Sequence, residues 1–542
     1  MSENAENEVC AMCKSSAKQK CSGCRSVFYC NREHQKLHWK EHSKKCIAFR
    51  LAEDEKLGRH YVATRRIEIG DLILRDEKPL VEGPLQGTTA LCLSCYVLLN
   101  TETAKPCEKC GWPLCSNCVE HGPECQFTTN HKGTKVKITD FDYPHPTYRC
   151  IAVVRALCLK ETNPKSYKRF LSLEDHNKKA ALCNEIHFHE STDIARFVKR
   201  FFKLNDVSEN EIAKIAGILK INGHEVPTTE PAHMAVYDLS SFLEHSCRAN
   251  GSKSFTAEGA LVIRAASPIS KGEHITICYT DPLWGVTNRR HHLLRTKFFE
   301  CMCTRCTDPT EFMTMFNAIM CTKGECNGSM LPKTFILHNE ERPDYICHTC
   351  NSSISWRMVE QITDKIGVDL SQMRKGDVQA CKTFIHQHAK TLHENHFYMT
   401  DVKLALSQLI GQQEKLSTID IEMLSEKILL CKKLDELLRT IAPAENRVRG
   451  VNLFEMHAAI SEFGRRQGQD ELRGILMSHR GSDGTVIILC SITAALAATL
   501  ERVQFPKQEA RLNVLSESFA SVPWFTTPQI LYDLIKITGE GQ

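Results

Sequence analysis

The chain has 542 residues, 42% of them hydrophobic and 25% charged, which is enough apolar material for roughly three or four globular domains and too much for a disordered or fibrous protein. Its 69 basic and 65 acidic residues leave a formal charge of +4. So small an excess gives no concentrated field for nucleic acid or anionic lipid, and direct nucleic-acid binding is not expected. The first residues, Met1-Ser-Glu-Asn-Ala-Glu-Asn-Glu8, are acidic and lack the basic and apolar regions of a secretory signal. An intracellular location, nucleus or cytoplasm, is therefore expected.

The 28 cysteines fall mostly in closely spaced C-x2-C and H-x3-C groups, which in a reducing compartment means metal. The first group is Cys10-x2-Cys13, Cys21-x2-Cys24, Cys30-x3-His34 and His42-x3-Cys46. Zinc takes four soft or borderline ligands in a tetrahedron, so eight ligands make two ions. The segment after Cys30 has helical composition, with His34, His38 and His42 recurring on one face and His38 surplus to the ligand count.

Leu57 to Leu74 carries short β-branched runs broken at Gly70-Asp71 and is expected to form a small hairpin or strand pair. A second cysteine group repeats the first: Cys92-x2-Cys95, Cys107-x2-Cys110, Cys115-x2-Cys118 and His121-x3-Cys125. With only two residues between Cys118 and His121, the helical arm is expected to be largely missing.

Tyr148 to Leu219 has helical periodicity with breaks at Asn163-Pro164 and near Asn205-Asp206. Strand-like segments follow at Ala260 to Ala265 and Ile269 to Asp281. Cys301, Cys303 and Cys306 supply three thiolates, which Cys247 would complete to four, while Cys321, Cys326, Cys347 and Cys350 form a set resembling a zinc ribbon. The total is 24 ligands, enough for six zinc ions. Cys150, Cys158, Cys183, Cys278, Cys381, Cys431 and Cys490 remain as ordinary thiols.

From about Gly376 the chain reads as amphipathic helices: Val402 to Ile410, Ile421 to Ile441, Leu453 to Gly464, Val486 to Leu500 and Ile530 to Ile537. Stacked helix pairs resembling tetratricopeptide repeats are expected. Val486 to Leu500, the most apolar run, carries Ser491, Thr493 and Thr499 and is shorter than the roughly 20 residues that span a bilayer. No membrane partner is expected. No G-x-x-x-x-G-K-[ST] loop or dinucleotide fingerprint is present, so kinase, ATPase and dehydrogenase readings fall away.

The first cysteine group resembles a MYND finger, whose interleaved pattern implies that Cys10, Cys13, Cys30 and His34 hold one ion while Cys21, Cys24, His42 and Cys46 hold the other. The second resembles a shortened MYND finger. Leu57-Gly-Arg-His60, Glu244-His-Ser-Cys-Arg-Ala-Asn250, Lys271-Gly-Glu-His-Ile-Thr-Ile-Cys-Tyr279 and the cysteine-rich segment after them resemble, in order, the motifs of the SET and MYND methyltransferase family, nearest its insect branch with an extra N-terminal finger.

The implied fold is α+β and multidomain. An N-terminal finger (1–50), the first part of SET (51–90), the second finger (91–130), a helical insert (131–235), the SET core (236–285), a post-SET module with zinc ribbon (286–355) and an all-α C-terminal domain (356–542) follow one another.

The resemblance implies S-adenosylmethionine as methyl donor and a protein lysine as acceptor, histone or not, in transcriptional regulation. Gly58, Arg59 and His60 would border the cofactor, Asn222 and Glu244 would lie near its methionyl part, the His245 backbone would read the adenine, Phe299 would stack on it, and Tyr279 would be catalytic. A proline-rich peptide at the first finger is an implied partner, and the chain is expected to act as a monomer.

Four positions depart from the family pattern: His60 replaces glycine, Glu244 asparagine, His274 glutamate, and Lys297 a common tyrosine. A side chain at position 60 either meets the cofactor or needs another backbone angle. The alternative reading is a SET-derived scaffold that has lost turnover and recruits partners through its finger and helical domain.

Overall fold

The computed structural model describes residues 9–467 apart from 18, 22–26, 43–45, 56, 184, 337–341 and 375. The two last helices expected from the sequence, Val486 to Leu500 and Ile530 to Ile537, lie outside the described residues. The chain divides into two compact units. Of the described residues, the first takes those up to 244 with 253–277 and 292–299, and the second takes 245–252, 278–291 and those from 300 onward.

In the first unit, strand Phe49–Asp54 pairs antiparallel with Gly58–Ala63, and Leu72–Asp76 pairs with Leu261–Ala265. The expected hairpin within Leu57 to Leu74 is therefore not formed. Its two strands exist, but each finds a partner elsewhere in the chain, because the left-handed turn at Gly70 carries them into separate sheets. A third sheet orders Val81–Pro84, His233–Val236 and His224–Val226.

The helical insert is helical as its periodicity implied, with helices Ile151–Thr162, Pro164–Leu171, Asn177–Cys183, Glu185–Phe201 and Glu209–Asn222; the expected breaks fall at Asn163-Pro164 and at Asn205-Asp206, and the chain also breaks after Leu171 and Cys183. Asn163 caps the second of these by accepting Ser166 N–H, with Pro164 at the first helical position. Val153, Val154, Phe170, Phe202, Ile215 and Ile218 fill the core beneath. Leu91, Cys92, Leu93, Tyr96 and Trp112 of the second cysteine group belong to that same core. No helix lies between Cys118 and His121, as their short spacing implied; a nine-residue helix, Glu124–Lys132, begins instead at the last ligand, Cys125.

The second unit holds a four-stranded antiparallel sheet of Ile319–Met320, Ser329–Pro332, Tyr345–Cys347 and Ser353–Ile354 in sequence order. Helices Trp356–Gln372, Val378–His388, Phe397–Leu409, Ile421–Ile441 and Asn446–Gln467 follow and share one apolar core. His396 begins the third of these by accepting the N–H of Tyr398, a capping role that needs no ligand.

Candidate functional site

Among the described residues, the structure brings four ligand atoms within 4.8 Å of one another in each of these groups: Cys10, Cys13, Cys30 and His34; Cys92, Cys95, Cys115 and Cys118; Cys107, Cys110, His121 and Cys125; Cys247, Cys301, Cys303 and Cys306; and Cys321, Cys326, Cys347 and Cys350. Sulfur separations are 3.6 Å for Cys13 and Cys30, 3.8 Å for Cys107 and Cys125, and 3.5 Å for Cys247 and Cys306. A tetrahedron with bonds of about 2.3 Å has edges of about 3.8 Å. Bonded disulfide sulfurs would stand about 2.05 Å apart. The donor sets and their spacing thus fit zinc.

His34 faces its group through Nδ1, 3.2 Å from Cys30 Sγ, whereas His121 uses Nε2, 3.2 Å from Cys110 Sγ. Of the remaining expected set, Cys21 and Cys46 lie 3.7 Å apart and His42 is buried, while Cys24 falls outside the described residues. His38 turns instead to the Tyr29 hydroxyl at 3.0 Å.

In the first unit, Gly58 adopts φ +69° and starts the strand that carries Arg59 and His60. His60 needs no left-handed angle. Its buried ring bonds Gly58 O through Nδ1 at 2.9 Å and stacks on His274 with centroids 4.5 Å apart. His274 Nδ1 lies 2.7 Å from Glu244 Oε2. Three of the four departures from the family pattern are thereby in one chain of contacts. Segment 273–275 pairs with the outer side of strand Gly58–Ala63, and that pairing places the two histidines side by side.

Arg59 bonds Ser172 O and lies over the Phe242 ring. Asn222, ending its helix, donates Nδ2 to Glu174 O and Ile218 O. Next to it, Lys297 Nζ donates to Ile221 O at 2.7 Å. Burial, with repulsion from Lys253 added, pulls the Lys297 ammonium down from 10.5 to about 8. Phe298, at φ +59°, meets His176 edge to face, and Phe299 is half-buried beyond it.

In the second unit, His245 and Tyr279 come together. The Tyr279 backbone N–H donates to His245 Nδ1 at 3.0 Å, and His245 Nε2 lies 3.3 Å from Cys247 Sγ. This makes His245 a neutral imidazole protonated at Nε2, donating toward sulfur and accepting from the chain.

Several functional side chains carry no local signature. Arg305 is buried and donates to the carbonyls of Cys247, Pro282 and Ile441, and both it and buried Arg289 pair with Glu311. Four thiolates around Zn2+ leave a net charge of about −2, so cations beside them are favoured. That requirement could have been anticipated from the cysteine count, though not which arginines meet it. Glu124 and Arg155, beside the second cysteine group, are of the same kind.

No helix among the described residues is long and apolar enough to cross a membrane. Residues 10–46 match the MYND finger family and residues 58–280 the SET domain family, the latter ending just beyond Tyr279. SET methyltransferases use S-adenosylmethionine. Among similar proteins, the SET domain-containing protein SmydA-8, isoform A, of Drosophila melanogaster is 30% identical over 305 residues, 54% of this chain and 63% of that protein. The histone-lysine N-methyltransferase ASHR1 of Arabidopsis thaliana is 24% identical over 73% of this chain and 83% of its own length. The histone-lysine N-methyltransferase SMYD3 of Mus musculus is 26% identical over 37% of this chain and 45% of its own. The match thus spans less than two thirds of the Drosophila relative. With a MYND finger match preceding a SET domain match and cysteine clusters built for zinc, the chain combines the two domains that name the SET and MYND domain-containing proteins.

Proposed function

We propose that the protein is an S-adenosylmethionine-dependent protein-lysine N-methyltransferase in which zinc is structural. The observation that carries this reading is Tyr279 near the end of the SET match, its backbone fixed by a histidine that is itself held against Cys247. The cofactor, when bound, supplies a methyl group on sulfonium sulfur: the carbon–sulfur bond breaks as a carbon–nitrogen bond forms to the neutral lysine amine. Alignment contributes most to such a reaction. Gly58, Arg59, His60, Asn222, Glu244, His245 and Phe299 are assigned to cofactor binding. The Tyr279 hydroxyl orients the acceptor nitrogen.

The acceptor is a histone or another protein, and the ions are held by the five groups described together with Cys21, Cys24, His42 and Cys46. On the helix Arg32–His42 of the first finger, Leu37 and Trp39 are exposed and offer a proline-rich peptide an apolar, aromatic surface. Calorimetric titration with S-adenosylmethionine tests the reading; micromolar binding is expected.

One observation favours a scaffold instead. His60 and Glu244 are engaged with His274, so two positions assigned to the cofactor already satisfy each other's neighbour. On that reading no S-adenosylmethionine binding is measured, while binding at the first finger persists.

A further inference from the structure

The MYND finger match covers residues 10–46, whereas residues 92–125 lie within the SET match. Their setting differs from that of the first finger. Leu91, Cys92, Leu93, Tyr96 and Trp112 are buried in the core of the helical insert, and the Tyr148 hydroxyl donates to Leu91 O from the segment leading into that insert. An apolar surface used in this way is not available to a partner.

At the centre of the contact is a buried ion pair. Glu124 is fully buried and accepts from His121 Nδ1 at 2.7 Å and from Arg155 Nε and Nη2 at 2.7 and 2.9 Å. His121 presents its other nitrogen, Nε2, to Cys110 Sγ. A carboxylate on the outer nitrogen of a ligating histidine fixes the tautomer and ring orientation and makes the ligand more basic. Arg155 also reaches the other ion site. Nη2 donates to Leu93 O, inside the Cys92-x2-Cys95 turn, and Nη1 donates to the hydroxyl of Tyr96, the residue after Cys95.

A zinc ion held by three thiolates and a histidine has a net charge of about −1, and one held by four thiolates about −2. Arg155 is thus a cation set between two anionic centres and a carboxylate, which is what makes burying a guanidinium tolerable. The fit leaves no slack. A methyl group at Gly122 would stand 2.4 Å from Glu124 Oε2 and 3.1 Å from Arg155 Nε, so only glycine fits between His121 and this pair.

We propose that Glu124 and Arg155 join the two ion sites of residues 92–125 and the insert helix Ile151–Thr162 into one cooperative unit, an internal brace and not a partner-recruiting finger. Glu124 positions His121 as a ligand. Arg155 ties that carboxylate to the Cys92–Cys95 turn. The inference rests on the zinc reading of these eight residues. Loss of metal here then loosens the insert, whose helix Glu209–Asn222 ends at a residue assigned to the cofactor.

The test follows zinc release from the full chain to a chromophoric chelator, together with hydrogen exchange over residues 151–162. In Glu124→Gln, which keeps the shape and removes the charge, one ion should leave at least tenfold faster. In Arg155→Met two ions should leave at least tenfold faster, and exchange in 151–162 should rise; Arg155→Lys serves the same purpose if that variant does not fold. Val198→Ala, a cavity in the same core away from the pair, should change neither. Release at the parent rate in Glu124→Gln and Arg155→Met, or equal acceleration in Val198→Ala, would overturn the inference. If neither Cys92→Ser nor Cys110→Ser lowers the zinc content of the purified chain, the zinc reading itself is wrong and the inference falls with it.

Discussion

His245 holds Tyr279 by its backbone: Nδ1 accepts the tyrosine N–H at 3.0 Å while Nε2 points at Cys247 Sγ, 3.3 Å away. One ring therefore connects a metal ligand to the segment that carries the proposed catalytic hydroxyl, and both of its nitrogens are used. His245→Leu leaves a part-buried N–H without its acceptor, at a cost of about 1.5 kcal/mol. Native-state hydrogen exchange should show residues 278–282 less protected by a corresponding factor, roughly tenfold or more. Unchanged protection there would mean that the histidine does not hold this segment.

Cys247 lies 54 residues before Cys301 in the chain yet 3.9 Å from its sulfur. Replacing it by serine opens a closed structural site. Metal analysis of Cys247→Ser should return one zinc ion fewer than the parent, whose content should be close to six, and thermal unfolding should begin at a lower temperature. An unchanged zinc content would place the fourth ligand elsewhere.

The contacts of His274 with His60 and Glu244 predict energetic coupling. The Glu244 and His274 side chains are part-exposed, so their pair contributes only about 0.5–1 kcal/mol. A double-mutant cycle should show it: adding Glu244→Gln to His274→Ala should cost less than Glu244→Gln alone, by about that amount. Strict additivity would mean that these departures from the family pattern are independent.

Lys297 predicts a pH effect on stability. Below about pH 8 the folded and unfolded chains both hold it protonated, and the folded state bears the full cost of the buried ammonium. Between about pH 8 and 10.5 the folded chain has released that proton and the unfolded chain has not, so the contribution of Lys297 to stability rises with pH. Lys297→Met should be more stable than the parent at pH 7 by about 2 kcal/mol, after loss of the bond to Ile221 O is counted. That advantage should vanish by about pH 10.5. A variant less stable than the parent at pH 7 would contradict the account.

The metal ligands were legible in the sequence because a C-x2-C turn is its own local instruction: two sulfurs reach one ion whatever surrounds them. Cys247 was found by closure of a set of four, a rule of coordination chemistry and not of pattern. The insert helices and Ile421–Ile441 followed from a 3.6-residue period and from Asn-Pro punctuation. Most of what escaped is non-local. Gly58–Ala63 and Leu72–Asp76 each read as a strand, but a strand's partner is not written in its own residues: the first pairs with Phe49–Asp54 just before it, the second with Leu261–Ala265 nearly 190 residues on. Likewise nothing local marks Arg155 or Glu124, which meet 31 residues apart, or the stacking of His60 on His274. The gap between Cys118 and His121 was legible as too short for a helix, whereas the ligand spacing carries no signal for the helix Glu124–Lys132 that starts beside Cys125.

The central claim is methyl transfer at Tyr279, and the most direct measurement compares the parent chain with Tyr279→Phe, following methyl incorporation from labelled S-adenosylmethionine into a broad panel of lysine-containing peptides and proteins. The substitution keeps the ring and the backbone bond to His245 and removes one oxygen. The account predicts a measurable rate in the parent and, in the variant, unchanged cofactor binding with turnover lower by about 100-fold, near 2.7 kcal/mol of transition-state stabilisation. A parent-like rate in the variant would contradict the catalytic assignment, and no rate in either protein would contradict the enzyme reading itself.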